Sequence, residues 1–266
     1  MDSNDPIVLS FYESLLHRSD VNLLNGPHWL NDNIISFYFE YLEKVIHKEV
    51  TQCLKISPIE ELGTFLDPLK VKQRKFIFLA LNDCEVLDTP GGTHWSLLVY
   101  SKPENMFFHF DSSAGCNKDQ ACKLSAKLLR YFTASTELGF QEHETLQQVN
   151  GYDCGIHLIC NAEWVGEHCE VQDEINKFGI IKKMSIDTKR NEILELIESM
   201  KRDRVCDGRV ETAPDRTTGR VVWRRVYLLP PSFSNEHKLK RLTGRQGEWC
   251  GDESTYYPPP LAMSTN

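Results

Sequence analysis

Gln148-Val149-Asn150-Gly151-Tyr152-Asp153-Cys154-Gly155 is the stretch on which the reading of this chain turns. Gly151 and Asp153 favour a turn. Asp153 stands where it can cap the apolar run Ile156, Leu158, Ile159, Ala162, Trp164 and Val165, which reads as a buried helix. A thiol in the first turn of a helix faces the positive end of the dipole, which favours the thiolate over the thiol. The backbone N–H of Cys154 then points out of that turn, available to an oxyanion, and the Gln148 side chain can supply a second donor. A lone cysteine in such a place is ordinarily a small apolar side chain packed in a helix. The residues that accompany it decide otherwise.

Phe76 to Leu81 is a short apolar run of strand type, His94-Trp95-Ser96-Leu97-Leu98-Val99-Tyr100 a second, and Met106-Phe107-Phe108-His109-Phe110-Asp111 a third. The polar turn Ser101-Lys102-Pro103-Glu104 links the last two, so the three read as an antiparallel meander. A hairpin centred on the Lys102–Pro103 bond makes His94 face Asp111 directly. A turn that begins at Lys102, with Pro103 second as proline prefers, slips the pairing and makes them diagonal neighbours. Both registers keep a carboxylate within reach of the imidazole. Asp111 would then orient His94 and stabilise the imidazolium, while the other ring nitrogen faces a thiol.

Gly92-Thr93-His94-Trp95, Phe110-Asp111-Ser112 and Gln148 to Gly155 together resemble the His, Asp, Gln and Cys motifs of the sentrin-specific (ubiquitin-like-protein) cysteine proteases, most of all their deneddylase branch. Asp5 to Ser10, Trp29-Leu30-Asn31-Asp32 and Gly91 to Tyr100 extend the likeness over about residues 5–202. The resemblance implies a papain-like cysteine protease fold of the α+β class, with a central antiparallel or mixed sheet packed against helices that include the nucleophile helix. It implies Cys154 as nucleophile, His94 as base, Asp111 as its orienting partner, and Gln148 with the Cys154 amide as oxyanion hole. Trp29 and Trp95 match tryptophans that flank a narrow groove for the substrate's C-terminal Gly-Gly. Two flat faces close together admit a backbone without Cβ and reject longer side chains. The implied reaction processes the precursor of the ubiquitin-like modifier of the neddylation pathway and removes that modifier from conjugates such as cullins, with no metal and no cofactor. The other readings are a protease for the sumoylation modifier or for ubiquitin, an inactive binding module, and an acetyltransferase on a related scaffold. Intact Cys154, His94, Asp111 and Gln148 argue against an inactive module. Residues 1–199 hold no basic cluster for a coenzyme A phosphate.

Bulk properties agree. A chain of 266 residues can bury one sizeable core. Its nine cysteines, an odd number, come with no charged-then-apolar leader, so free thiols in a reducing cytoplasm or nucleus are expected. No apolar stretch approaches a membrane span. A structural zinc site fails on spacing, since no Cys-x-x-Cys pair exists. Residues 1–199 carry 18 Lys and Arg against 30 Asp and Glu, a net of −12. That acidic body argues against a phosphate backbone as partner. A monomer is expected.

Three further helices follow from spacing. Asn31 or Asp32 caps one through Ile34, Ile35, Phe37, Tyr38, Tyr41, Leu42, Val45 and Ile46; others cover 120–132 and 190–200. The protease domain is placed at 1–202. Residues 203–266 are basic, broken by Pro230-Pro231 and Pro258-Pro259-Pro260, and expected to be a disordered tail.

Overall fold

The computed structural model describes residues 5–47, 51–55, 66–67, 71–84, 92–132, 137, 139–180 and 183–206. Its centre is a five-stranded mixed sheet in the order β3-β4-β5-β6-β7: Thr51–Lys55, Phe76–Asn82, Trp95–Ser101, Met106–Phe110 and Phe140–Glu142. The three central strands are the expected antiparallel meander, and each outer strand joins parallel. A separate hairpin, β1 (Ile7–Phe11) with β2 (Ser14–His17), precedes the short helix α1 (Arg18–Asn22).

Strand β4 is apolar at almost every position because both sides of the sheet are covered. With a side-chain period of two, Phe76, Phe78, Ala80, Leu97, Val99, Phe108 and Phe110 enter the main core. Ile77, Leu79, Leu98, Tyr100 and Phe107 enter a second cluster with α3 (Lys118–Phe132). Helix α4 (Cys154–Val171) belongs to the main core, and its first thirteen residues are buried except Trp164, which is half-buried. A helix so nearly buried all round is central rather than amphipathic. Two of its buried polar side chains find partners across the core: Glu163 accepts from Tyr38 Oη and Lys189 Nζ, and Asn161 Oδ1 accepts from Thr145 Oγ1.

Helix α2 (Asp32–Tyr41) starts as its sequence predicts, with the Asn31 side chain accepting from Ile34 N, and runs on as a π-helical turn, Leu42–Ile46. Helix α5 (Lys183–Cys206) is longer than the predicted 190–200. The expected tail lies outside the described residues, except that 203–206 continue α5.

Candidate active site

Cys154 is the first residue of α4 and is 2 % exposed. Asp153 is the residue before the helix, and its carbonyl accepts from His157 N. Its carboxylate does not cap, contrary to the expectation. It is taken instead by Arg190 of α5, through Nε at 3.1 Å and Nη2 at 2.8 Å, and by Asn150 Nδ2 at 2.8 Å. Asn150 Oδ1 meanwhile accepts from Tyr152 N and Asp153 N, fixing the turn that the sequence predicts.

His94 comes from the loop entering β5, and Asp111 follows β6. Leu97 pairs with Phe110 and Ser101 with Met106, which is the slipped register. Asn105 N donates to Lys102 O around Pro103, so the turn begins at Lys102. His94 and Asp111 are then diagonal neighbours on one face. Their contact is direct: His94 Nε2 to Asp111 Oδ1 at 2.5 Å. The two carboxylate oxygens also accept from Ser113 N and Asn117 N. Asp83 holds the other side of the loop, accepting from Thr93 N, Thr93 Oγ1 and His94 N. Gly92 has φ +92° there, and a Cβ would overlap Asn82 Oδ1, so only glycine turns this corner.

The electrostatics follow from these contacts. Burial opposes charge on the His94 ring, yet hydrogen bonds to Asp111 and to the Cys154 thiol outweigh it and push its pKa up to about 10. Burial likewise opposes charge on Asp111, and the bonds from His94, Asn117 N and Ser113 N still hold its carboxyl below the usual carboxylate range. Imidazolium and carboxylate are thus the stable pair, in contact with the Cys154 sulfur, with His94 only 8 % exposed. A cysteine sulfur, an imidazole and a carboxylate thus stand in series, an arrangement that can carry nucleophilic catalysis.

Gln148 is held by its backbone N–H to Ser112 O, and its Oε1 accepts from Ser112 Oγ. Nε2 donates one hydrogen to Asn150 O. An amide nitrogen carries two, so the second is left over. Trp29 is half exposed, with its indole N–H on Gly151 O at 2.5 Å; Trp95 is buried, with its N–H on Leu30 O at 3.0 Å. Both tryptophans are therefore fastened to loops that adjoin the start of α4. Gly155 lets the Leu30 side chain come close, since a Cβ there would lie 3.0 Å from Leu30 Cβ.

A profile of the Ulp1 protease family, C-terminal catalytic domain, matches residues 65–205, which include His94, Asp111, Gln148 and Cys154. The chain belongs to the Ulp1 protease family. It is a cysteine peptidase of the α+β class, as the sequence led us to expect. It is 39 % identical over 209 residues to sentrin-specific protease 8 of Homo sapiens, covering 74 % of this chain and 98 % of that protein. It is 36 % identical over 218 residues to NEDD8-specific protease 1 of Arabidopsis thaliana, covering 74 % of this chain and 95 % of the relative. The Ulp1 protease domain solved in complex with SMT3, the yeast ortholog of SUMO, has the same fold: TM-score 0.58, 20 % identity, 74 % of this chain and 88 % of that one.

Two residues of this Ulp1-family site escaped the sequence reading. Arg190 gathers Leu23 O, His28 O and the Asp153 carboxylate, and Asp83 pins the His94 loop. Nothing local marks either, because their partners are far away or backbone. Among the described residues no group of three or more His, Cys, Asp or Glu side chains is placed to hold a metal ion.

Proposed function

We propose that this protein is a thiol isopeptidase that cleaves after the C-terminal Gly-Gly of the neddylation modifier, both in its precursor and in conjugates such as cullins. One observation carries the chemistry: a buried imidazole bonded at Nε2 to a carboxylate and in contact with a helix-start thiol. With Nε2 occupied, Nδ1 is the nitrogen left for Cys154. Cys154 gives its proton to His94 Nδ1, and the resulting thiolate attacks the terminal glycine carbonyl. Cys154 N–H and the remaining Gln148 Nε2–H stabilise the oxyanion. His94 Nδ1–H protonates the departing amine as the thioester forms. The neutral ring then takes a proton from water, whose hydroxide attacks the thioester and frees the glycine carboxylate.

Trp29 and Trp95 flank the tail in this reading. A sulfur so enclosed suits a slender substrate without side chains, and the dry surroundings strengthen the charge interactions that drive the reaction. Selectivity for the neddylation modifier rests on the likeness to sentrin-specific protease 8 and to a NEDD8-specific protease, each over nearly its whole length. The six cysteines outside any disulfide among the described residues suit the reducing cytoplasm or nucleus, where such conjugates would be met.

The deciding experiment offers NEDD8, SUMO and ubiquitin, each with a C-terminal fluorogenic amide. NEDD8 should turn over fastest; faster release from SUMO or ubiquitin overturns the assignment. Cys154→Ala should abolish release while still binding the modifier, and Gln148→Ala should leave slow turnover, since one oxyanion donor contributes about 3–4 kcal/mol.

A further inference from the structure

Asn117 sits immediately before α3, where an asparagine ordinarily turns its side chain back to cap the helix. Its carbonyl does accept the first helical bond, from Ala121 N at 2.9 Å. Its side chain goes the other way, into the protein, and is wholly buried. Nδ2 donates to His94 O at 3.3 Å and to Ser96 Oγ at 3.0 Å, while Oδ1 is buried without a hydrogen-bond partner among the described residues. A carbonyl can only accept, so the amide is fixed in this orientation. Asn117 therefore forgoes a cap and leaves an acceptor unpaired, two arrangements that each lower stability. A buried violation of this kind marks a residue held for a task.

We infer that Asn117 is a positioning residue of the peptidase reaction, holding the Asp111 carboxylate by its backbone and the His94 main chain by its side chain. Its backbone N–H holds Asp111 Oδ2 at 3.0 Å and its amide holds the His94 main chain, so one residue sets the spacing of the pair from both sides. The amide is itself anchored by a chain that ends at the protein surface. Ser96 Oγ uses a lone pair for Asn117, and its hydroxyl hydrogen is free for His109 Nε2 at 3.0 Å. His109 Nδ1–H then donates to Glu142 Oε1 at 2.8 Å. Every donor in the series Asn117, Ser96, His109 points outward, and the series closes on a carboxylate that can only accept. Aligned bonds polarise one another, so the arrangement is stiffer than its separate links. Ser96 and His109 are buried, and Glu142 is partly exposed on β7. A residue aligned this way acts on the angle and distance between base and carboxylate, not on substrate affinity.

The inference rests on the roles proposed for His94, Asp111 and Cys154, and its test separates the two. Asn117→Ser keeps a hydroxyl that can cap α3 but cannot span to His94 O. Its melting temperature should hold or rise, while kcat on the fluorogenic NEDD8 amide falls about tenfold at unchanged KM. The pH dependence of Cys154 alkylation by iodoacetamide, followed at the Cys154 peptide, should shift with it. Ser96→Ala, one link further out, should lower kcat about threefold and serve if Asn117→Ser does not fold. Ser96→Thr keeps the hydroxyl and should recover most of the loss. A folded Asn117→Ser or Ser96→Ala protein with wild-type kcat and alkylation profile overturns the inference, as does a loss confined to KM. If Cys154→Ala is inactive in the same assay, the proposed site stands whichever way Asn117 falls; an active Cys154→Ala removes the site itself.

Discussion

His94 meets Asp111 through Nε2, at 2.5 Å, although the two residues are diagonal rather than directly paired across the β5–β6 hairpin. Both oxygens of Asp111 only accept: Oδ1 from His94 and Ser113 N, Oδ2 from Asn117 N. An amide in this place must turn its NH2 towards one of those donors, whichever way it is set. Asp111→Asn should therefore lower kcat by on the order of 10⁴-fold, with the modifier still bound. Single-turnover kinetics beside a binding titration would check it, and a loss below tenfold would mean that the carboxylate does not orient the ring.

The raised pKa of His94 carries a signed consequence for stability. A ring whose folded value is about 10 against an ordinary 6.5 binds its proton more tightly when folded. Its contribution is fully present below pH 6.5 and is lost as pH rises towards 10. Asp111, held low, behaves oppositely: its contribution is present above about pH 3.8 and is lost on acidification. Denaturant unfolding from pH 6 to 10 should show stability declining, and His94→Gln should flatten that slope. An unchanged slope in the variant would place the titration elsewhere.

What could be read ahead of the structure was whatever depends on neighbours in sequence. The meander, the Asn31 cap and the α4 start follow from runs, turn residues and spacing. The register did not, because a four-residue loop around Pro103 and a tighter turn satisfy the same pattern; the choice lies in the Lys102–Asn105 bond. Strand β7 is three half-exposed residues and β3 is short, so neither outer strand announced itself, and both pair in parallel with residues far along the chain. Asp153 looked like a cap for a good local reason. A guanidinium 37 residues away claims it, and no periodicity reveals such a partner.

Arg190 joins three acceptors that no shorter or rounder cation can reach together: Leu23 O at 2.8 Å, His28 O at 2.7 Å and Asp153 Oδ1. Through them α5 fixes the approach to Trp29 against the start of α4. A lysine keeps the charge but is a point donor on a flexible stem. Arg190→Lys should therefore reduce kcat/KM about tenfold, with part of the effect in KM because the tryptophan rim loosens. Steady-state kinetics with the fluorogenic modifier would decide; wild-type values would reduce Arg190 to a surface clamp.

Gly155 tests the packing under that rim. A Cβ there would stand 3.0 Å from Leu30 Cβ and 3.4 Å from Ile35 Cδ1. Leu30 carries the carbonyl that accepts the Trp95 N–H and directly follows Trp29, so any retreat moves both tryptophans. Gly155→Ala should cost about 1–3 kcal/mol in stability as an overpacked core site. It should also raise KM for the modifier more than it lowers the alkylation rate of Cys154, because the thiol and His94 stay together. Equal losses in both would show that the helix start itself had shifted.

Lys189 is 3 % exposed and donates to Glu163 at 2.5 Å, with Glu192 at 2.7 Å; Glu163 also accepts from the buried Tyr38 hydroxyl. Burial disfavours the ammonium, and the two carboxylates overcome it, so its pKa is pushed up. The pair joins α5 to α4, with Glu163 more than two helical turns along α4 from Cys154. Removing only the cation leaves Glu163 charged in a dry place, whereas removing both charges does not. Lys189→Met should therefore destabilise the fold by about 3–5 kcal/mol, and adding Glu163→Gln should recover a large part. Turnover per folded molecule should stay within about twofold of wild type in the double variant, since the pair's partners Tyr38 and Glu192 take no part in the proposed chemistry. Denaturant titrations of the single and double variants measure the first claim. A double variant no more stable than Lys189→Met would show that the cation acts through packing of its stem and not through charge.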